Sequence, residues 1–124
     1  GGLVTHEPQR HGIAPATVKR AEAYIDAQYA EPITLQDIAY AVECPVRTLL
    51  DGFRRFRGQS PMKYLKTRRL DIVRAALLAA TGDESVSTIA WNTGFNHLGR
   101  FAADYTKRFG ERPSDTLRRR SGVR

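Results

Sequence analysis

The sequence predicts an all-α protein of seven helices, arranged as two helix-turn-helix lobes joined by a long central helix. The main observation is an internal repeat, in which Ile38-Ala39 recurs as Ile89-Ala90. Five further residues recur 52 positions later: Leu49, Phe53, Gly58, Pro61 and Leu65 as Phe101, Tyr105, Gly110, Pro113 and Leu117. Apolar residues fall at helical spacing in both copies, without a convincing strand pattern. Because self-similarity defines the structural unit, the unit here is a short helix, a tight turn and a longer helix.

The order of the elements follows from local signals along the chain. Residues 1–12 lack any apolar period and are expected to form a flexible linker or lead-in. The remaining domain, 13–124, is expected to comprise a first lobe at 13–60, a linker helix at 61–81 and a second lobe at 82–124. In the first helix, about 16–29, one apolar face holds Val18, Ala21 and Ile25.

Capping residues predict where the two short helices begin and end. Thr34 begins a capping box for a helix at about 35–42, and Ser85 begins its counterpart at about 86–93. Gly94 then stands where a helix ends in the left-handed conformation. Glu43 occupies the matching place in the first copy. For a residue with a Cβ, the left-handed conformation costs roughly 1 kcal/mol. The first turn is therefore expected either to be strained or to differ in geometry from the second.

The central and last helices begin at proline. Ser60-Pro61 is expected to start the central helix and Gly82 to close it. Its apolar face is predicted to contain Met62, Leu65, Arg69, Val73, Ala76 and Ala80. The last helix, about 113–120, is expected to pack Leu117 as the first copy packs Leu65.

Positive charge is concentrated in two blocks of the chain. The net charge is +7, with local balances of −3 in 1–44, +7 in 45–70, −2 in 71–85 and +5 in 86–124. Each positive block contains the longer helix of one repeat. Clustered Lys and Arg attract a polyanion by releasing its counterions, so the charge pattern indicates a nucleic-acid partner.

Helical periodicity assigns the faces of the two longer helices. In the helix at 46–57 the inward residues are predicted to be Leu49, Phe53 and Phe56, and the outward face to hold Arg47, Asp51 and Arg54, flanked by Thr48, Leu50 and Arg55. In the helix at 97–109 the inward residues are predicted to be Leu98, Phe101, Ala102 and Tyr105, and the outward ones Asn96, Arg100, Ala103 and Lys107. Both outward faces are basic or small.

These outward residues suit the edges of DNA bases in the major groove, which admits one helix. Arg47 and Arg100 can make bidentate bonds to guanine, Asn96 can pair with adenine, and Thr48 or Leu50 can meet a thymine methyl group. Asp51 can accept from cytosine, or hold the guanidinium of Arg47 one turn away.

The second lobe is expected to be less selective than the first, because Gly99 and Ala103 offer no side-chain hydrogen bond. Phosphate contacts, which orient a protein without reading sequence, are expected from Arg54, Arg55, Lys63, Lys107, Arg108 and Arg112.

Two stretches of the chain resemble the AraC/XylS-type DNA-binding domain. The first runs from 33 to 70 and includes Ile38-Ala39, Leu49, Phe53, Gly58, Ser60-Pro61, Tyr64-Leu65 and Arg69-Leu70. The second includes Ile89-Ala90, Gly94-Phe95, Phe101, Tyr105, Lys107-Arg108-Phe109-Gly110 and Pro113-Ser114. The resemblance, over about 13–120, implies a bacterial transcription regulator whose two lobes enter successive major grooves on one side of duplex DNA.

The resemblance also implies particular contacts and partners. Base contacts would fall on Arg47, Leu50 and Asp51, and on His97, Leu98, Gly99, Arg100 and Ala103; periodicity places Leu98 inward, so we leave it out of the predicted site. The resemblance further implies a separate N-terminal domain that binds an effector or dimerises. It also implies RNA polymerase as a partner and a location in the bacterial cytoplasm, associated with the nucleoid. The family's usual residues are replaced at Glu43, Pro45, Asp51 and Ala103, so the target sequence is not transferable from relatives.

Other function classes have less support. The three histidines have no metal-ligand spacing with Cys44, and no phosphate-binding glycine loop follows a strand, so we predict no enzyme, cofactor or metal. No apolar run reaches the ~20 residues of a membrane span. An RNA binder or a helical interaction module is the stronger alternative. Tyr40 and Trp91 could stack on single strands, although such residues more often pack at the edge of a core.

Overall fold

The structure, a computed structural model, describes residues 14–122, and within this range it contains seven α-helices and no strand. This confirms the all-α prediction, while the predicted lead-in at 1–12 lies outside the described residues. The helices are α1 Pro15–Gln28, α2 Leu35–Ala41, α3 Val46–Arg57, α4 Pro61–Ala79, α5 Val86–Asn92, α6 Leu98–Phe109 and α7 Pro113–Gly122. None of these helices is both long and apolar enough to cross a membrane.

The chain divides into two compact units, and the boundary lies inside α4. The first unit ends at Lys66 and the second begins at Thr67. Helix α4 therefore contributes residues to both units. It ends at Ala79, with Gly82 in the following turn at a φ of 70°, so Gly82 does not close the helix directly.

The core of the first unit is built by α1, α2, α3 and the start of α4. The capping box at Thr34 is present, since the Thr34 hydroxyl accepts the Asp37 amide at 3.1 Å while the Asp37 carboxylate accepts the Thr34 amide at 2.8 Å. The rings of Phe53 and Tyr64 pack edge to face, with 6.3 Å between their centres. The buried residues are Val18, Ala21, Ile25, Ile38, Ala39, Val42, Leu49, Phe53 and Leu65.

The core of the second unit is built by the rest of α4 with α5 and α6. The Ser85 hydroxyl caps α5 by accepting the Thr88 amide at 3.1 Å, as the sequence predicted. Aromatic rings line α6, and the ring centres of Phe101 and Tyr105 lie 5.8 Å apart. The buried residues are Leu70, Val73, Leu77, Ala80, Ile89, Ala90, Phe101 and Tyr105, with Leu117 partly buried against them.

The predicted apolar face of α4 is only partly correct. Leu65, Val73 and Ala80 are buried as expected, but Met62 is 37% exposed and the prediction omitted the buried Leu70 and Leu77. The two cores take different residues from this helix, so one continuous stripe does not describe its packing.

The turns after α2 and α5 share the same pair of backbone hydrogen bonds. In the first, the Cys44 amide donates to Ala39 and the Glu43 amide to Tyr40, both at 3.1 Å. In the second, Phe95 donates to Ala90 and Gly94 to Trp91, also at 3.1 Å. This is the Schellman arrangement, which requires a left-handed residue just past the helix. Glu43 takes that conformation with a φ of 57°, where Gly94 has 111°.

We expect Glu43→Gly to stabilise the domain by about 1 kcal/mol, because glycine enters the left-handed region without a Cβ penalty. Thermal unfolding of the 124-residue chain measures the effect as a rise in Tm of several degrees. Glu43→Ala is the matched control, since it removes the same carboxylate and keeps the Cβ. An equal rise in both variants would assign the gain to the lost charge and contradict backbone strain.

Helix α7 is fixed at its start by Asp115. Its carboxylate accepts the Arg112 amide at 3.1 Å and the Arg112 guanidinium at 3.2 Å, and also pairs with Arg118. Bonding to Arg112 is the main reason that the pKa of Asp115 falls from 3.8 to about 2. One residue on, Thr116 is buried with its hydroxyl 2.7 Å from that of Tyr105, which ties α7 to α6.

Because the folded-state pKa of Asp115 is depressed, its stabilising contribution is complete above pH 3.8 and is lost as the pH falls towards 2. We therefore expect Asp115→Asn to lower the Tm near neutral pH and to shrink this difference from the parent chain between pH 4 and 2. Thermal unfolding across that range measures it. Asp83→Asn, at an exposed position of the α4–α5 turn, is the charge-matched control. A pH-independent deficit would contradict the role of the Asp115 carboxylate.

Candidate nucleic-acid interface

The longer helix of each repeat, α3 and α6, is called a recognition helix below. Helix α3 presents the predicted outward face. Leu49 and Phe53 are fully buried on one side, while Arg47, Asp51 and Arg54 are exposed on the other. Thr48 and Leu50 flank that face and are half-buried, and Arg55 beside it is exposed. Among the described residues no ion pair joins Arg47 to Asp51, so both side chains belong to the open surface.

The two ends of α3 are held in different ways. Pro45 precedes the helix and provides no side-chain cap for its first amides. At the other end Gly58 adopts a φ of 69°, and Arg57 makes two hydrogen bonds to Glu22 of α1 at 2.6 and 3.0 Å. This basic residue of the recognition helix therefore serves the fold of the first unit.

The longer helix of the second repeat, α6, also presents its predicted outward face. Phe101 and Tyr105 are buried, and the exposed residues at or before the start of the helix and along its surface are Asn96, His97, Gly99, Arg100, Ala103 and Lys107. Gly110 ends the helix with a φ of 77°.

The inward placement predicted for Leu98 is wrong. Leu98 is 38% exposed and lies outside the core of the second unit. It is the first residue of α6, and the helix first reaches the core one turn later, at Phe101. Leu98 therefore joins the exposed surface, as the family resemblance implied.

The start of α6 is capped by a histidine. His97 precedes the helix, and its ring Nδ1 accepts the backbone N–H of Arg100 at 3.1 Å. The sequence analysis assigned His97 to the surface only through the family resemblance and did not identify this bond.

The residues predicted to contact phosphate fall into two groups. Arg54, Arg55, Lys63 and Lys107 have exposed side chains, and the Arg55 guanidinium lies 5.8 Å from the Phe56 ring centre. Arg108 is bonded to Asp71 of α4 at 2.9 and 3.2 Å, and Arg112 to Asp115. Arg108 and Arg112 would have to exchange a carboxylate for a phosphate, whereas the first group makes no such bond to a carboxylate of the described residues.

Two aromatic residues, for which the sequence left open stacking on single strands or packing at the core edge, are exposed. Tyr40 is 87% exposed and Trp91 is 60% exposed. Each directly follows a buried Ile-Ala pair on a short helix, and one step of about 100° turns the side chain away from the core. The sequence signal for this exposure was that both residues directly follow the repeated Ile-Ala pair.

Two short helix–turn–recognition helix motifs with basic outward faces define this chain as a helix-turn-helix DNA-binding module. A family model described as a helix-turn-helix domain matches residues 33–119. A solved structure of a probable AraC family transcriptional regulator from Rhodopseudomonas palustris CGA009 is similar, with a TM-score of 0.80 and 36% identity over 85% of this chain and 97% of that one. The chain belongs to the AraC/XylS-type family of DNA-binding transcription regulators.

Curated relatives are operon regulators. The chain is 40% identical over 105 residues to the probable thc operon regulatory protein of Rhodococcus erythropolis, covering 84% of this chain and 32% of that protein. It is 38% identical over 100 residues to the XylDLEGF operon transcriptional activator 2 of Pseudomonas putida, covering 80% and 64%. The chain therefore spans only part of the length of these relatives.

Proposed function

We propose that this domain reads duplex DNA by inserting α3 and α6 into successive major grooves. The observation that carries the proposal is the exposed face of α3, on which Arg47 and Asp51 lie opposite the buried Leu49 and Phe53. A major groove about 12 Å wide admits one helix, and its edges carry a distinct pattern for each base pair. Bases would be contacted by Arg47, Thr48, Leu50, Asp51, Asn96, His97, Gly99, Arg100 and Ala103.

The two lobes would contribute unequally to sequence reading. Arg47 has two donors suited to guanine N7 and O6, and Asp51 suits the amino group of cytosine. In the second lobe Arg100 and Asn96 provide comparable groups, but Gly99 and Ala103 provide none. Phosphate contacts by Arg54, Arg55, Lys63, Lys107, Arg108 and Arg112 would supply salt-dependent affinity without sequence information.

The larger protein and its partners belong to the same proposal. Because the chain covers 32% and 64% of two regulators, we propose that an N-terminal effector-binding or dimerisation domain completes it. Regulation of a promoter would bring the domain next to RNA polymerase, in the bacterial cytoplasm and on nucleoid DNA. No catalytic step or cofactor is required for this role.

Selection from a random duplex library, with sequencing of the bound pool at moderate salt, tests the proposal. We expect two enriched blocks whose centres lie about one helical turn apart, roughly 10–10.5 base pairs. A single block would restrict reading to one lobe. Salt-sensitive binding without any enrichment would contradict sequence reading by the chain.

We expect Arg47→Ala to relax preference at one base pair of the selected site, by about 1–3 kcal/mol, while leaving the Tm nearly unchanged. Lys107→Ala should instead weaken selected and random duplexes alike and reduce the salt slope by about 1. Binding titrations at several salt concentrations measure both. Lys19→Ala on α1 removes the same charge as Lys107→Ala and serves as the control. Equal losses on selected and random DNA for Arg47→Ala would remove its role as a reader.

A second candidate, binding of single strands, gains support from the exposed Tyr40 and Trp91, since aromatic side chains stack on unpaired bases. Both residues lie on the short helices α2 and α5 and not on the basic recognition helices. Competition between a selected duplex and single-stranded RNA decides between the two functions. Preference for the single strand, lost in a Tyr40→Ala, Trp91→Ala double variant, would favour this second function.

A further inference from the structure

The side chain of His97 is held in one orientation by the helix that follows it. The residue precedes α6 with an extended backbone, φ −142° and ψ 96°, and its Nδ1 accepts the Arg100 amide at 3.1 Å. The residue as a whole is exposed. One ring nitrogen, Nδ1, is thus occupied by the protein, while Nε2 is separated from it by one carbon and directs its hydrogen bond away from the Arg100 amide.

This bond determines which nitrogen of the neutral ring carries the proton. A nitrogen that accepts a hydrogen bond has no proton, and neutral imidazole has one donor and one acceptor. The proton therefore resides on Nε2, which is a donor only. At the start of α6, the ring offers DNA a fixed N–H group and no acceptor.

Gly99 keeps space beside the ring. A Cβ built on Gly99 would lie 3.6 Å from Cε1 and 3.8 Å from Nδ1 of His97, which is ordinary contact for a methyl group. Gly99 therefore places no side-chain atom against the ring of His97 and offers no hydrogen bond of its own.

We propose that His97 is a specificity-determining residue of the second lobe, donating from Nε2 to a hydrogen-bond acceptor on a base edge. The acceptors available in the major groove are N7 of either purine, O6 of guanine and O4 of thymine, while cytosine presents a donor. The inference rests on the proposed entry of α6 into the major groove. The first lobe has no counterpart, because Pro45 precedes α3 at the equivalent place.

The test separates the cap from the reader with two variants. His97→Ser keeps an N-cap oxygen and shortens the side chain, so its donor no longer has the reach of the imidazole. His97→Ala removes both the cap and the donor. We expect the Tm of His97→Ser to match that of the parent chain and the Tm of His97→Ala to be lower. Both variants should lose roughly tenfold in preference at one base pair of the second block.

Modified bases then identify the acceptor. At that base pair a 7-deazapurine, which has carbon in place of N7, replaces a selected purine. To test the oxygen acceptors, 6-thioguanine replaces guanine and 4-thiothymine replaces thymine; each keeps its pairing partner and presents a sulfur, which is a weaker acceptor than the oxygen. The parent chain should lose affinity about tenfold on the modified duplex, and His97→Ser should not distinguish the two duplexes.

The outcomes distinguish this inference from the proposed function. If the parent chain selects two blocks but His97→Ser retains every base preference, reading by His97 is wrong and the proposed function stands. If His97→Ala lowers affinity equally for all duplexes and His97→Ser does not, His97 serves only as a cap. That result would also overturn the inference. If the parent chain enriches no sequence at all, the proposed function fails and the inference fails with it.

Discussion

Two pairs of buried side chains set the rotation of the recognition helices about their own axes. Leu49 and Phe53 in α3, and Phe101 and Tyr105 in α6, lie four residues apart and so share one stripe of each helix. Turning either helix would expose side chains whose burial is worth about 1.5–3 kcal/mol each. In α3 it would also bring charged residues such as Arg47 towards an apolar core, at a further cost. The surface available to DNA is therefore a consequence of packing on the opposite side.

The ends of these helices show how basic residues are divided between folding and binding. Arg57 is bonded to Glu22 and Arg108 to Asp71, so these cations connect the recognition helices to their neighbours. The Asp115 carboxylate similarly holds Arg112. Side chains such as Lys107, which has no such carboxylate bond within residues 14–122, stay exposed on the surface. Net charge alone does not distinguish these groups, because the distinction depends on where the carboxylates lie.

The repeat preserves its backbone and core more strictly than its surface. Both turns use the same pair of hydrogen bonds, even though one requires Glu43 to adopt a conformation that favours glycine. The caps of the recognition helices differ, with Pro45 before α3 and His97 before α6. Exposed positions such as Asp51 and Ala103 also differ between the copies. Shared folding constraints and separate surface constraints explain a duplicated scaffold with two different outward faces.

The sequence by itself determined the helical class, the repeat and most helix boundaries, since these depend on local signals such as the Thr34 box and the Ile-Ala pairs. It also assigned the outward faces of α3 and α6 correctly apart from Leu98. Only the tertiary structure decided that Leu98 lies before the helix reaches its core, and that two cores share α4 and leave Met62 exposed. It likewise decided that the ring of His97 turns back onto the Arg100 amide. Periodicity gives the direction of a side chain around its helix, whereas burial and partners depend on what other elements place there.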